Sequence, residues 1–145
     1  MNYIIKSPET ESEWENYFNF RWKMLRKPIG MPKDTLKDAL EKEGHHLIAL
    51  TEQNKIIGSG RLHFNNEKEG QIRYMAVDNS IQRKGLGSAI VLELESIAKK
   101  RGALEMVLNA RENAINFYLS LGYKKIKPYQ SDTGIPHTSM SKKLT

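Results

Sequence analysis

Apolar and polar positions along the chain change period several times, and each change marks an element. Tyr3 to Lys6 is a short β-type run, broken by Ser7-Pro8. From about Ser12 to Arg26 the residues Trp14, Tyr17, Phe18, Arg21, Trp22 and Leu25 recur at helical spacing and predict a helix with an aromatic stripe. Lys27-Pro28-Ile29-Gly30-Met31-Pro32 predicts a loop. Lys33 to Lys42, with Leu36, Ala39 and Leu40 apolar, predicts a short helix ending at Gly44. His45 to Thr51 and Lys55 to Phe64 read as strands joined by the turn Glu52-Gln53-Asn54. Gly58 and Gly60 inside the second predict a bulge or a close backbone approach. Asn65 to Gly70 is a polar turn before the apolar strand Ile72 to Val77. Leu86, Ala89, Ile90, Leu94, Ile97 and Ala98 then mark one face of a long helix, closed by Lys99-Lys100-Arg101 and Gly102. A strand from Ala103 to Asn109, a helix from Asn113 to Leu121, a strand from Tyr123 to Ile126, a loop from Lys127 to Gly134 and a strand from Ile135 to Lys143 complete the chain. The order predicts an α+β fold: about four helices around a mixed, mostly antiparallel sheet, with hairpins before and after one β-α-β unit.

Composition narrows the class. A length of 145 residues predicts one domain spanning 1–145, with 39% hydrophobic and 28% charged residues as in soluble globular proteins. With no cysteine there is no disulfide framework, thiolate metal site or thiol nucleophile. No metal is expected. The start MNYIIKSPET has no signal-peptide pattern, and no apolar run reaches membrane-spanning length, so the cytoplasm is the expected compartment and no membrane partner is expected. The net charge of +6 raises nucleic acid as a partner. The cations are scattered, however, and no strand carries the paired aromatics of an RNA-recognition sheet. A solvated basic surface plus one anionic ligand explains the charge better.

That ligand is suggested by the stretch after Val77. Asp78-Asn79-Ser80 is followed by Gln82-Arg83-Lys84-Gly85-Leu86-Gly87-Ser88, which opens the long helix. The first turn of a helix presents N–H groups without intrahelical partners, and the dipole adds roughly half a positive charge there. Gly85 and Gly87 lack Cβ and let an anion approach the main chain, and Arg83 and Lys84 add two cations at the rim. A phosphorylated ligand is expected. The Walker pattern fails because Gly87 is followed by Ser88-Ala89, and the dinucleotide fingerprint fails because Gly58-Ser59-Gly60 has no third glycine.

The remaining pattern, Gln82-x-x-Gly85-x-Gly87, resembles the acetyl-coenzyme A pyrophosphate loop of the GNAT superfamily of N-acetyltransferases. Leu108 to Tyr123, reading LNARENAINFYLSLGY, looks like the next strand and helix of that superfamily. The two blocks cover about half of the chain. Gly134-Ile135-Pro136-His137-x-x-Met140 is similar to the C-terminal strand of ElaA-like members. The resemblance implies a GNAT-like acyl-CoA N-acyltransferase fold and an enzyme that uses acetyl-CoA as cosubstrate and an amine as acceptor. Pairing into a homodimer is compatible with it.

It also implies residue roles. The central and fifth strands would splay, and main-chain groups of Met75, Ala76 and Val77 would bind the pantetheine arm as an added strand does, with the Val77 N–H aimed at the thioester carbonyl. The backbone of Gln82, Arg83, Lys84, Gly85, Leu86, Gly87 and Ser88 would cradle the pyrophosphate. Asn109, Asn113 and Asn116 are candidates to hydrogen-bond the cofactor, Asn113 first among them, with capping or solvating a helix end as the competing reading of each. Tyr118 would protonate the leaving thiolate; a packed tyrosine is the competing reading. Gln71 stands where some members have a glutamate base, so the base is open among His63, Glu69, Asp78, His137 and water. Arg21, Trp22 and Arg26 are candidates for the acceptor cleft, and Arg73 suits either an acidic acceptor or a solvated strand. A catalytically silent acyl-CoA sensor and a basic nucleic-acid-binding module are the other function classes.

Overall fold

The computed structural model describes residues 2–81 and 85–145. Its strands are β1 (Tyr3–Lys6), β2 (His45–Thr51), β3 (Ile56–Asn66), β4 (Glu69–Val77), β5 (Glu105–Arg111), β6 (Lys124–Gln130) and β7 (Pro136–Lys143). Its helices are α1 (Glu11–Leu25), α2 (Leu86–Lys100) and α3 (Ile115–Ser120). The strands form one sheet in the order β1-β2-β3-β4-β5-β7-β6. Among the described strands only β4 and β5 run parallel, with α2 in their crossover. This is the α+β fold with a mostly antiparallel sheet that the pattern predicts.

Each face of the sheet has its own core. Leu86, Ile90, Val91, Leu94 and Ala98 of α2 bury against Leu62, Ile72, Met106, Leu108 and Met140. Tyr17 and Phe20 of α1 bury against Ile48, Leu50, Ile56 and Ala76 on the other face. Gly58 and Gly60 permit the close seating of α2. A Cβ on Gly60 would lie 2.6 Å from Met75 Sδ and 3.0 Å from Ile90, and one on Gly58 would lie 2.8 Å from Ile90.

Helix α1 starts one turn earlier than its apolar stripe does. Thr10 is the N-cap and Glu13 completes a capping box, a pattern the sequence carries as Thr-x-x-Glu. Several predicted bounds shift: the turn Asn65 to Gly70 shrinks between β3 and β4, the helix Asn113 to Leu121 opens as a 3-10 turn at Glu112–Ala114, and two further segments differ more. Lys33 to Lys42 is not an α-helix: a 3-10 turn at Lys33–Thr35 is followed by turns. The side chains of Asp38 and Glu41 explain this, because they accept from backbone N–H groups of Leu40 and Asp38, at 2.9 Å each, in place of a helical ladder. The predicted loop Lys127 to Gly134 is also shorter, since β6 runs on to Gln130. Pro128 is tolerated there because β6 is an edge strand, with a register shift at Lys125/Lys127.

Candidate active site

β4 and β5 part company midway. Parallel pairing covers Glu69↔Glu105 to Ile72↔Leu108, yet β4 continues to Val77 and β5 to Arg111. Past Ile72 the outer neighbours, β3 and β7, still pair with these strands, so the two diverge as halves of the sheet. Asp78 N–H donates to the Ile57 carbonyl at 2.9 Å. By antiparallel alternation, Ala76 then faces β3, while the main-chain groups of Met75 and Val77 are directed to the β5 side.

A bulge in β4 sits at this opening. Register passes from Arg61↔Arg73 to Ser59↔Ala76, so Tyr74 and Met75 stand opposite Gly60 alone. Tyr74 has φ of +59°, strained for a bulky residue, at a cost of order 1–3 kcal/mol. The kink turns Arg73 and Tyr74 to the α1 face together. Met75 and Val77 pack with the α2 core and Ala76 with the α1 core.

Beside the opening lies the start of α2. Gly85 is its N-cap, with φ of +83° and no side-chain capping bond, and no acidic residue occupies the first turn. The first intrahelical bond is Ala89 N–H to the Gly85 carbonyl, at 3.0 Å. The N–H groups of Leu86, Gly87 and Ser88 thus have no intrahelical acceptor. Gly87 serves packing: a Cβ there would meet the Phe117 ring at 3.2 Å and Val77 at 3.5 Å. Among the described residues nothing crowds a Cβ at Gly85, so its need is the left-handed backbone. Gln82, Arg83 and Lys84 lie outside the described residues.

Tyr118 is buried, its ring edge-on to Phe117 and Tyr123 with centroids at 4.9 and 5.7 Å. Burial pushes its hydroxyl well above the ordinary value, so the phenol keeps its proton. Asn109 Oδ1 accepts from Ser139 at 2.8 Å, which leaves its amide N–H₂ as the donating end. Asn113 and Asn116 are exposed, in the 3-10 turn after β5 and in α3.

The base candidates separate by position. Glu69 lies at the far end of β4 and accepts from Asn65 at 2.8 Å. Asp78 is held low by hydrogen bonds from the Ser80 backbone and side chain. His63 is buried, and its Nδ1 accepts from Arg61 at 3.0 Å; burial and then the Arg61 charge keep it neutral. His137 lies opposite Arg111 in the β5–β7 register, at the open end of β5. Its Nδ1–H donates to the Ile135 carbonyl at 2.6 Å, the tautomer that leaves a lone pair on Nε2.

The α1 face carries an arginine network that periodicity did not disclose. Arg21, predicted as a cleft candidate, is fully buried, with its guanidinium carbon 3.6 Å from the centre of the Tyr74 ring. Arg21 pairs with Glu41 through both nitrogens, at 2.9 and 3.1 Å. Arg61 pairs with Asp38 at 2.7 and 2.9 Å and with Glu41 at 3.1 Å, and Arg73 reaches Asp38 at 2.9 Å. Burial opposes ionisation of Asp38 and Glu41, but arginine hydrogen bonds outweigh it and hold both below their ordinary values. Tyr17 accepts from Arg21 at 3.2 Å and donates to His46 Nδ1 at 2.6 Å; burial pushes its hydroxyl up to about 12. Trp22 is tied to the Met31 carbonyl at 3.0 Å, and Arg26 lies 5% exposed at the end of α1. The sequence signal for this network was an Asp and a Glu in a helical stretch that they prevent from being a helix.

Comparison with known proteins agrees with this geometry. The profile of the acetyltransferase (GNAT) domain family matches residues 25–144. YjcF of Bacillus subtilis, an uncharacterised N-acetyltransferase, is 30% identical over 135 residues, covering 92% of this chain and 95% of the relative. The crystal structure of an aminoglycoside 6'-N-acetyltransferase complexed with coenzyme A superposes with a TM-score of 0.80 at 15% identity, over 98% of this chain and 97% of that one. The ribosomal-protein-S18-alanine N-acetyltransferase of Escherichia coli gives 0.77 at 20% identity, over 99% and 95%. At such identities these likenesses speak for the fold. Among the described residues no helix is long and apolar enough to cross a membrane.

Proposed function

Because the chain belongs to the GNAT acetyltransferase family, which uses acetyl-CoA, we propose that its 145 residues form one domain catalysing transfer of the acetyl group to a primary amine of a small molecule or peptide. The observation that carries this reading is the opening between β4 and β5 past Ile72↔Leu108, beside the uncapped first turn of α2. A strand-like, amide-bearing arm fits the first, and a diphosphate fits the second.

Acetyl-CoA supplies an activated thioester: the amine nitrogen bonds to its carbonyl carbon, the C–S bond breaks, nitrogen gives up a proton and sulfur takes one. Main-chain groups of Met75, Ala76 and Val77 hold the pantetheine arm, with the Val77 N–H turned to the carbonyl whose oxygen gains charge. The backbone from Gln82 to Ser88 binds the pyrophosphate, aided by the Arg83 and Lys84 cations. Asn109 offers its amide N–H₂ to the cofactor, and Asn113 and Asn116 do so from the turn and helix that follow. Tyr118, kept protonated by burial, gives the sulfur its proton. His137 Nε2 accepts the proton that nitrogen must lose.

Thermal unfolding with and without acetyl-CoA, combined with free-thiol release on a panel of amines, tests this reading. Acetyl-CoA should raise the melting temperature, and at least one amine should release thiol. Tyr118→Phe should lower kcat on the order of 100-fold while coenzyme A affinity stays within about twofold. Unchanged kcat would remove Tyr118 from the mechanism. Binding without thiol release from any amine would favour the acyl-CoA sensor. Stabilisation by nucleic acid and not by acetyl-CoA would overturn both.

A further inference from the structure

Five guanidinium groups gather on the α1 face next to the opening, and their charges do not balance. Arg21, Arg61, Arg73 and Arg26 lie 3.6, 4.9, 4.7 and 5.7 Å from the Tyr74 ring centre. Arg111 joins them from the end of β5. Asp38 and Glu41 are fully used by Arg21, Arg61 and Arg73. Asp132, 78% exposed, stands 3.9 Å from Arg73. Among the described residues no carboxylate forms an ion pair with Arg26 or Arg111.

These two share one acceptor instead. Arg26 Nη1 donates to the Leu25 carbonyl at 3.2 Å, and Arg111 Nη2 donates to the same oxygen at 3.0 Å. Capping the end of α1 is a sound structural use for one cation. The helix end offers roughly half a negative charge, however, against two full positive ones. Arg26 is 5% exposed, and its Nε has no partner among the described residues. Arg21 and Arg61 also leave Nε unpaired, but both end on carboxylates. Burial, and then the neighbouring Arg26 charge, hold Arg111 below its ordinary value, so the pair is electrostatically uncomfortable without an anion.

The location gives the anion a purpose. Arg111 is three residues beyond the last parallel pair, Ile72↔Leu108, hence about 10 Å along the strand and at the edge of the opening. Arg73 flanks it across the gap, and His137 is its cross-strand neighbour. We infer that Arg26 and Arg111, flanked by Arg73, clamp an oxyanion of the acceptor, so the substrates are amines that also carry a carboxylate or phosphate group. Planar guanidinium forks suit either group. The inference rests on the acetyl-transfer reading and specifies its acceptor.

The test compares thiol release from acetyl-CoA with β-alanine, 2-aminoethyl phosphate, short dipeptides with free and amidated C-termini, and neutral ethanolamine and propylamine. Wild type should use anionic amines with kcat/KM on the order of 10- to 100-fold above their neutral counterparts, the effect of a charge-assisted hydrogen bond. The carboxylate and phosphate arms identify which oxyanion is preferred. Arg111→Gln should bring the two groups to within about threefold, through KM, with Arg111→Lys intermediate; the lysine variant also serves if the glutamine variant fails to fold. Equal use of neutral and anionic amines by wild type, or equal losses on both in Arg111→Gln and Arg111→Lys, would overturn the clamp. Absence of thiol release from every amine would defeat the acetyl-transfer reading itself, and the clamp with it: in favour of the acyl-CoA sensor if acetyl-CoA still stabilises the protein, and of neither if it does not.

Discussion

Gly85 and Gly87 are two residues apart and are glycine for different reasons. Gly85 needs a left-handed backbone, so Gly85→Ala should cost about 1–2 kcal/mol and weaken coenzyme A binding by moving the first-turn amides. Gly87 faces Phe117, the neighbour of Tyr118. Gly87→Leu should therefore lower turnover as well as affinity, because Phe117 must give way. Isothermal titration with coenzyme A and steady-state kinetics on both variants check this; loss of affinity with unchanged kcat in Gly87→Leu would contradict it. The glycine spacing was legible in the sequence. What each glycine touches was not, because Phe117 comes from an element thirty residues on.

At the scale of elements, the turn region 36–44 is held by its charges. Asp38→Ala removes the bidentate partner of the fully buried Arg61 and one partner of Arg73, leaving Arg61 with Glu41 as its carboxylate and with His63. The expected loss is about 3 kcal/mol, the lower end for breaking a buried pair, read as the shift in urea unfolding. A loss below about 1 kcal/mol would show that Asp38 is effectively solvated. Most elements were readable because apolar spacing determines them: α1, α2 and the strands of both cores keep their predicted places within a few residues. The segment Lys33 to Lys42 was misread because Leu36, Ala39 and Leu40 have helical spacing, and periodicity does not register that two carboxylates have arginine partners on α1 and β3. The splay of β4 from β5 was expected only through family resemblance. Nothing in local spacing says where two parallel strands separate.

For the molecule as a whole, buried titratable groups predict an acid-sensitive fold. His45, His46 and His63 are each held below the ordinary 6.5, first by burial, so the folded chain keeps them neutral. The unfolded chain binds protons there below about 6.5. Their contribution is thus fully present above that pH and falls as pH drops through and below it. Asp38 and Glu41, depressed from 3.8 and 4.5, contribute fully above those values and lose that contribution as pH falls towards their folded values. Melting temperature should be level above about pH 7, decline towards pH 5 and fall faster below pH 4. His46→Gln should reduce the first decline. A maximum near pH 5 would contradict the assignment.

The positive φ of Tyr74 divides β4 into two parts that an engineer can address separately. Up to the bend, Arg73 and Tyr74 belong to the arginine-lined side; after it, Met75 and Val77 serve the other layer. Straightening the bend with every residue kept would reverse the outlook of everything downstream, sending Ala76 into the α2 layer and swinging Val77 away from it. Acceptor preference should therefore be retuned by substitution before the bend, with the bend itself left alone.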